Sequence, residues 1–285
     1  MIKLLSLFSG IGAFEKALTR QKIPFEIVNY CEIDKYASKS YSILHNVSEE
    51  LNLKDVTKID TSQLKDKDIN LITYGFPCQD ISTAGKMRGL FDENGKPTRS
   101  GLFFEALRII NDLKPRICIA ENVKALCSKR FKNQFDLIIN SLNDVGYNSY
   151  YDVLNAKDYN LPQARERIFI VSIRKDIDNG LFKFPDKQEL KIKLQDLLSN
   201  EVDQKYYCKD EISKRYIDNS ALGGVELKNR LTPARFNKQP HLGEFLSITK
   251  GSLDHINNFI ASTITARYYK GIGAHGDNVI IVKDL

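Results

Sequence analysis

Short apolar runs rich in β-branched residues alternate with amphipathic helical patterns over residues 1–175 of the chain. The apolar runs predict strands at residues 3–8, 25–31, 69–74, 116–120, 149–154 and 167–173. Helical patterns at residues 12–20, 35–44, 101–113 and 131–145 separate most of them. This alternation predicts an α/β fold with a doubly wound, mostly parallel sheet, whose ligand sites lie at the carboxyl ends of the strands.

The pattern changes near residue 185, where the sequence becomes rich in Lys and Asn and only weakly periodic. A chain of 285 residues is longer than a typical single domain. We therefore expect a large domain over residues 1–186 and a smaller, irregular domain over residues 187–285. Short β-like segments at residues 245–249 and 279–282 belong to the second domain.

Composition excludes several classes of protein. Five scattered cysteines form no C-x-x-C pair and have no histidine cluster nearby, which argues against a metal site or a disulfide scaffold. The apolar N-terminal run is too short for a signal peptide or a membrane span, so we expect a cytoplasmic protein. The net charge of +6 suits a polyanionic partner but is equally common as a solubility feature.

Glycines and an acidic residue follow the first two predicted strands. Phe8, Gly10 and Gly12 lie between the first strand and the first helix, where glycines either let a ligand approach the backbone or form a tight turn. The second strand ends before Glu32 and Asp34. Glu32 is our candidate for binding ribose hydroxyls, whereas Asp34 is expected to cap the following helix.

Reactive side chains lie at the ends of three other strands, after two of them and before the third. Residues 75–79, Gly-Phe-Pro-Cys-Gln, place Cys78 in a rigid turn after an apolar run. A lone cysteine is usually a small buried hydrophobe, so its neighbours must decide its role. Glu-Asn-Val at residues 121–123 and Gln-Ala-Arg-Glu-Arg at residues 163–167 flank other strands. A thiol, a carboxyl and a guanidinium at one sheet edge can act as nucleophile, acid and anion-stabilising group.

Phe-x-Gly-x-Gly, Pro-Cys-Gln, Glu-Asn-Val and Gln-x-Arg-x-Arg occur here in this order, and together they resemble the cytosine-5 DNA methyltransferase family of bacteria and phages. The resemblance covers residues 1–175. It implies a catalytic domain of the S-adenosylmethionine-dependent methyltransferase type over residues 1–186 and a target-recognition domain over residues 187–285. It also implies S-adenosylmethionine as methyl donor and double-stranded DNA as partner.

Roles in cofactor binding follow from the resemblance. The loop glycines would line the pocket, Glu32 would bind the ribose and Ile33 would pack on the adenine. An acidic position that contacts the adenine amino group matches Asp55, although Asp60 lies in a similar setting. The full implied set is Phe8, Gly10, Gly12, Glu32, Ile33, Asp55, Val56 and Pro77.

Catalytic roles are implied for three residues: Cys78 as the nucleophile, Glu121 as the proton donor to the base, and Arg165 as the group that stabilises the base carbonyl. Such an enzyme flips its target cytosine out of the duplex, and residues 82–90 resemble the family's mobile loop that closes over it. DNA-facing positions are implied at Gln79, Ser82, Lys86, Arg88, Gln163, Arg167, Thr263 and Arg267, with Gln163 and Arg167 expected mainly to shape the site.

Two family motifs that follow the recognition domain are not clearly present. Residues 230–235 match the first only in part, and residues 276–279 resemble a distorted form of the second. Residues 262–271 instead resemble the end of a recognition domain, which precedes both motifs. We therefore expect either the larger half of a split methyltransferase, whose second polypeptide carries the missing motifs, or a truncated relative with little activity alone.

Two other functions compete with DNA methylation. One branch of the family methylates cytosine in tRNA with the same cysteine and Glu-Asn-Val motif, but the recognition-like C-terminal third favours duplex DNA. A non-catalytic DNA- or cofactor-binding regulator is the other alternative. The retention of Cys78, Glu121 and Arg165 argues against it.

Overall fold

The structure is a computed structural model that describes residues 1–78, 80–81 and 89–197, together with the backbone of residues 261–262. Contacts divide these residues into two compact units. The first unit comprises Met1–Leu154 and Glu166–Pro185, and the second includes Asn155–Arg165 and the described residues from Asp186 onward. The functional division into catalytic and recognition domains between residues 186 and 187 stays a prediction.

A six-stranded sheet forms the centre of the first unit. Its strands are β1 (Ile2–Leu7), β2 (Phe25–Cys31), β3 (Leu71–Tyr74), β4 (Ile117–Val123), β5 (Tyr147–Asn155) and β7 (Glu166–Arg174). The strand β6 (Gln163–Ala164), between β5 and β7 in the chain, belongs to the second unit instead. Their order in the sheet is β2-β1-β3-β4-β7-β5. The first four strands are parallel, and β7 is antiparallel to β4. The predicted doubly wound, mostly parallel sheet is confirmed.

In the described residues, four α-helices connect these strands: α1 (Ala13–Arg20), α2 (Lys35–His45), α3 (Phe103–Leu113) and α4 (Lys132–Asp144). Each begins and ends within two residues of its predicted bounds. The helical spacing of apolar residues explains this agreement, because it gives each helix one face for the core. In α3 that face consists of the buried residues Phe103, Ala106, Ile109 and Ile110.

The strand β4 is longer than its apolar sequence indicates. Its pairing with β3 ends at Ala120, opposite Tyr74. Its pairing with β7 continues to Val123, opposite Arg167. The segment Glu-Asn-Val therefore lies within the strand rather than after it, and the predicted end at residue 120 was wrong by three residues. The cause is the antiparallel partner, which the local sequence of β4 does not reveal.

The order of the strands reverses between β1 and β3. The chain passes from β1 to β2 on one side and then returns to β3 on the other side of β1. In open α/β sheets the carboxyl ends of strands at such a point form the ligand crevice. Phe8 follows β1, Glu32 follows β2 and Gly75 follows β3, so the Phe-x-Gly-x-Gly motif, Glu32 and the turn that bears Cys78 border this position.

In the second unit, β6 pairs in parallel with β8 (Ala261–Ser262). The ion pair between Asp158 and Lys187 has an N–O distance of 3.0 Å, and the Asn160 carboxamide accepts the backbone N–H of Lys191. Across the described residues of both units, no helix has both the length and the apolar character needed to cross a bilayer.

Candidate active site

The loop between β1 and α1 has an unusual backbone. Phe8, Gly10 and Gly12 all have positive φ angles, at 53°, 56° and 84°. Glycine adopts this left-handed conformation without steric cost, but for Phe8 it is uncommon and marks a site constrained by its surroundings. Gly12 is the residue that precedes α1, so the loop presents the start of a helix to the crevice.

The carboxylate of Glu32 connects this loop to the end of β2. Its Oε2 accepts the backbone N–H of Gly10 at 2.8 Å, and its Oε1 accepts that of Asp34 at 2.8 Å. The carboxamide of Asn52 bonds both the N–H and the C=O of Glu32. A half-buried carboxylate has further lone pairs, so Glu32 can also accept hydrogen bonds from ligand hydroxyls. Asn52 was not predicted from the sequence.

Asp34 has the structural role predicted for it. Its Oδ1 accepts the backbone N–H groups of Tyr36 and Ala37 at 2.9 and 2.8 Å, which caps α2. The neighbouring Ile33 is 77% exposed. Such exposure leaves an apolar side chain available at the carboxyl end of β2.

Asp55 caps a short 3₁₀ turn, Val56–Lys58. Hydrogen bonds from the hydroxyl and the backbone N–H of Thr57 hold the pKa of Asp55 below its usual value, so this carboxyl is ionised at neutral pH. The side chain of Val56 is buried in the main core, with 4% of its surface exposed.

The position of Asp55 distinguishes it from Asp60. The segment before Asp55 runs beside the end of β2, where the N–H of Leu53 donates to the carbonyl of Tyr30 at 2.7 Å. Asp60 caps a different turn, Thr61–Lys67, which contacts α3. Of the two carboxylates, Asp55 is therefore the one adjacent to the strand end that carries Glu32.

Cys78 lies in the turn that follows β3. Phe76 is buried in the core, whereas Cys78 is only half-buried. The carbonyl of Cys78 accepts the N–H of Ile81 at 3.0 Å, and the N–H of Asp80 donates to the hydroxyl of Ser100 at 3.3 Å. The thiol thus lies on a short segment held by backbone hydrogen bonds.

Glu121 lies beside this turn. A Cβ atom built on Gly75 would be 3.7 Å from Oε2 of Glu121, so the glycine leaves room next to the carboxylate. The other oxygen, Oε1, is 3.0 Å from Nε of Arg167. The two side chains are 25% and 19% exposed, so the pair is shielded from solvent but remains accessible. The carboxyl therefore lies beside Gly75, which is three residues before Cys78 in the chain.

Asn122 forms a hydrogen bond to the same turn. Its Nδ2 donates to the carbonyl of Phe76 at 3.1 Å, and its Oδ1 accepts the N–H of Val123 at 2.8 Å. Only 3% of Asn122 is exposed. A buried carbonyl needs a partner, so this hydrogen bond stabilises the conformation of the Cys78 turn. Sequence analysis gave Asn122 no role of its own.

Comparison with known proteins identifies the family. The family model described as C-5 cytosine-specific DNA methylase matches residues 2–271. The chain belongs to this family. The resemblance carried by the four motifs is thereby confirmed.

Several curated methylases are similar over much of the chain. The orphan methyltransferase M.Rho11sI of Bacillus phage rho11s is 34% identical, over 95% of this chain and 59% of the relative. The type II methyltransferase M2.ScrFI of Lactococcus lactis subsp. cremoris is 34% identical, over 82% and 80%. M.HhaI of Haemophilus parahaemolyticus, another type II methyltransferase, is 36% identical over 69% and 57%. The chain spans 53–61% of the length of the phage relatives it matches.

Solved structures show the same fold. The Dnmt2 methyltransferase of S. pombe superposes with a TM-score of 0.57 at 21% identity, over 77% of this chain and 66% of that one. The methyltransferase EhMeth of Entamoeba histolytica gives a TM-score of 0.58 at 20% identity, over 75% and 64%. These likenesses support the methyltransferase fold.

The two arginines of the Gln-x-Arg-x-Arg motif fall in different units of the methylase. Arg167 lies in β7 of the first unit and contacts Glu121. Gln163 and Arg165 belong to the second unit, where the N–H of Arg165 donates to Oδ1 of Asn155 at 3.0 Å. Arg167, for which sequence analysis predicted a shaping role, contacts the candidate catalytic carboxyl. The base-stabilising role of Arg165 stays a prediction.

After Ile81, the next described residue is Gly89. The N–H of Gly89 donates to the carbonyl of Asp80 at 2.7 Å, and the N–H of Leu90 donates to Oε1 of Gln134 in α4 at 2.6 Å. The two ends of the segment between Asp80 and Gly89 are therefore joined. The predicted DNA-facing residues Gln79, Ser82, Lys86, Arg88, Thr263 and Arg267 lie outside the described residues, as do the C-terminal motifs at residues 230–235, 263–271 and 276–279.

Proposed function

We propose that this methylase transfers a methyl group from S-adenosylmethionine to carbon 5 of a flipped-out cytosine in double-stranded DNA, through a covalent adduct with Cys78. The observation that carries the proposal is the position of Glu121 beside the turn that bears Cys78, with Arg167 holding the carboxylate from the other side. A nucleophile and a proton donor at one edge of the sheet are what addition to an aromatic ring requires.

Cys78 makes carbon 5 of cytosine reactive. This carbon is a poor nucleophile in the intact ring. Addition of the Cys78 thiolate to carbon 6 moves the ring electrons towards carbon 5, which then behaves like an enamine carbon. The bound cofactor supplies an electrophilic methyl group on a sulfonium sulfur. A base then removes the proton from carbon 5, the carbon 5–carbon 6 double bond re-forms, and the thiolate leaves.

Glu121 neutralises the charge that addition creates on the ring. A hydrogen bond or proton from its carboxyl to ring nitrogen 3 lowers the barrier to thiolate addition. Arg167 contacts Oε1, and Oε2 lies on the Gly75 side of the carboxylate. Arg167 therefore positions the carboxyl, while Arg165 is proposed to stabilise the base carbonyl.

The loop after β1 and the end of β2 fit S-adenosylmethionine. Glu32 is oriented by Gly10 and Asp34 and retains acceptor capacity for two ribose hydroxyls. The exposed side chain of Ile33 offers an apolar face for adenine. Asp55, at the same strand end, can accept hydrogen bonds from the adenine amino group.

The proposal is tested by methyl transfer from tritiated S-adenosylmethionine to mixed-sequence duplex DNA, with tRNA as a parallel substrate and Cys78→Ala as control. Cys78-dependent label in DNA supports the proposal. Label in tRNA alone would replace it with an RNA methyltransferase. Cofactor binding without transfer to either substrate would favour the non-catalytic alternative or the predicted need for a second polypeptide. A search for a partner chain that activates methyl transfer would distinguish these two explanations.

A further inference from the structure

The loop after β1 makes a second contact that the proposed reaction does not use, with the last residue of α2. Nε2 of His45 lies 3.0 Å from the carbonyl oxygen of Ile11. A carbonyl oxygen only accepts hydrogen bonds, so Nε2 is the donor. The neutral imidazole with its proton on Nε2 and the imidazolium both donate there.

The peptide group between Ile11 and Gly12 forms a second hydrogen bond, through its N–H. The N–H of Gly12 donates to the carbonyl of Ser9 at 2.9 Å. In a trans peptide the C=O of Ile11 and the N–H of Gly12 point in opposite directions. His45 and Ser9 therefore fix the orientation of one peptide plane in the middle of the left-handed loop.

The imidazole ring has little freedom to move away. It packs against Tyr41 with ring centroids 4.7 Å apart, and Tyr41 stacks on Tyr30 of β2 at 4.1 Å. The hydroxyl of Tyr41 donates to Oε1 of Glu15, a fully buried residue in the first turn of α1, at 2.8 Å. The position of His45 is thus set by the aromatic packing between α2 and the sheet.

Gly12 lies in close contact with the imidazole ring of His45. Gly12 is buried, and a Cβ atom built on it would overlap the imidazole of His45. The ring therefore occupies the space that any side chain at position 12 would need. Together with the φ of 84°, this contact explains why glycine stands at this position.

We propose that His45 is a positioning residue for the cofactor, holding the Ile11–Gly12 peptide in the conformation that binds S-adenosylmethionine. This inference rests on the proposed function, because it assumes that the loop faces that cofactor. Two glycines in the loop give it many alternative conformations. A loop that is ordered before binding loses less conformational entropy when the ligand binds. The hydrogen bond from His45 to Ile11 therefore increases the affinity for the cofactor.

Two variants of the full chain separate the hydrogen bond from the packing. His45→Phe keeps an aromatic ring against Tyr41 but removes the donor, and His45→Gln keeps an N–H donor but removes the ring. By calorimetry with S-adenosylmethionine, His45→Phe should weaken binding roughly three- to tenfold, the effect of one lost hydrogen bond. His45→Gln should stay within about twofold of the wild type. The KM for DNA should be unchanged in both.

Amide hydrogen exchange of the cofactor-free protein provides a readout that does not depend on activity. The N–H of Gly12 should exchange faster in His45→Phe than in the wild type and His45→Gln. Equal affinities and equal exchange in all three proteins would overturn the inference, as would equal weakening in both variants. If the wild type fails to bind S-adenosylmethionine, the proposed function fails, and the exchange rates still decide whether His45 orders the loop.

Discussion

Nε of Arg167 lies 3.0 Å from Oε1 of Glu121, so an arginine of the Gln-x-Arg-x-Arg motif contacts the candidate catalytic carboxyl directly. The contact places Arg167 where it can orient the carboxyl.

Arg167→Ala should reduce methyl transfer by roughly 10²- to 10³-fold, because a partly buried carboxylate loses the group that orients it. Arg167→Lys should recover only part of the rate, since an ammonium cannot reproduce the guanidinium geometry. Arg165→Ala removes the group proposed to stabilise the base carbonyl and should also lower the single-turnover rate. A single-turnover rate that is unchanged in Arg167→Ala would contradict the positioning role of Arg167.

Glu121→Gln should lower the rate of methyl transfer by about 10²- to 10⁴-fold, because the amide cannot donate a proton to ring nitrogen 3 as the carboxyl does. The affinity for S-adenosylmethionine should stay near the wild-type value, since Glu121 lies at the end of a different strand from Glu32. Calorimetry and single-turnover kinetics on one preparation measure both quantities. An equal loss in both would indicate a folding defect instead.

Asn122→Ala should destabilise the fold by about 1–3 kcal/mol, since the buried carbonyl of Phe76 loses its partner. Asn148→Ala removes a comparable donor from an exposed pair with Asp178, and its effect should stay within about 0.5 kcal/mol. Denaturant unfolding gives both values. Equal effects at the two sites would show that Asn122 does not hold the Cys78 turn.

Glu32→Gln should weaken S-adenosylmethionine binding by about tenfold or more, because a carboxylate that accepts two backbone N–H groups is replaced by an amide that can accept only on one side. Glu26→Gln, at an exposed position of the same strand, is the control and should have no effect. Calorimetric titration compares them. Cofactor affinity that is unchanged in Glu32→Gln would remove the ribose-binding role.

Thiol reactivity should separate Cys78 from the buried cysteines. Burial, reinforced by the charges of Glu32 and Asp55, raises the pKa of Cys31 to about 12, and complete burial raises the pKa of Cys118 well above its ordinary value. A raised pKa means less of the reactive thiolate. Iodoacetamide at about pH 8 should therefore label Cys78 well before Cys31 or Cys118, as peptide mass spectrometry would show. Faster labelling of Cys31 would contradict the packing at the end of β2.

Periodicity in the sequence was sufficient to predict the sheet and its helices, because each element has an apolar face of its own. The strand β2, for example, has the predicted bounds, since its burial follows its own sequence. The end of β4 was missed because it depends on β7, which is distant in the chain.

The supporting residues of the site could not be predicted for a related reason. Asn52, Asn122 and His45 all act on backbone groups far from them in sequence, and no local pattern distinguishes them from surface residues. The capping role of Asp34 was foreseen, because helix capping is a local interaction with a local signature.

The most direct test of the central claim uses duplex DNA in which 5-fluorocytosine replaces cytosine. Fluorine at carbon 5 cannot leave as a proton does, so methyl transfer should leave the enzyme bonded to carbon 6. With S-adenosylmethionine present, we expect a covalent protein–DNA complex whose cross-linked peptide contains Cys78, and none in Cys78→Ser. A methylated product formed without any adduct, or an adduct at another residue, would contradict the account.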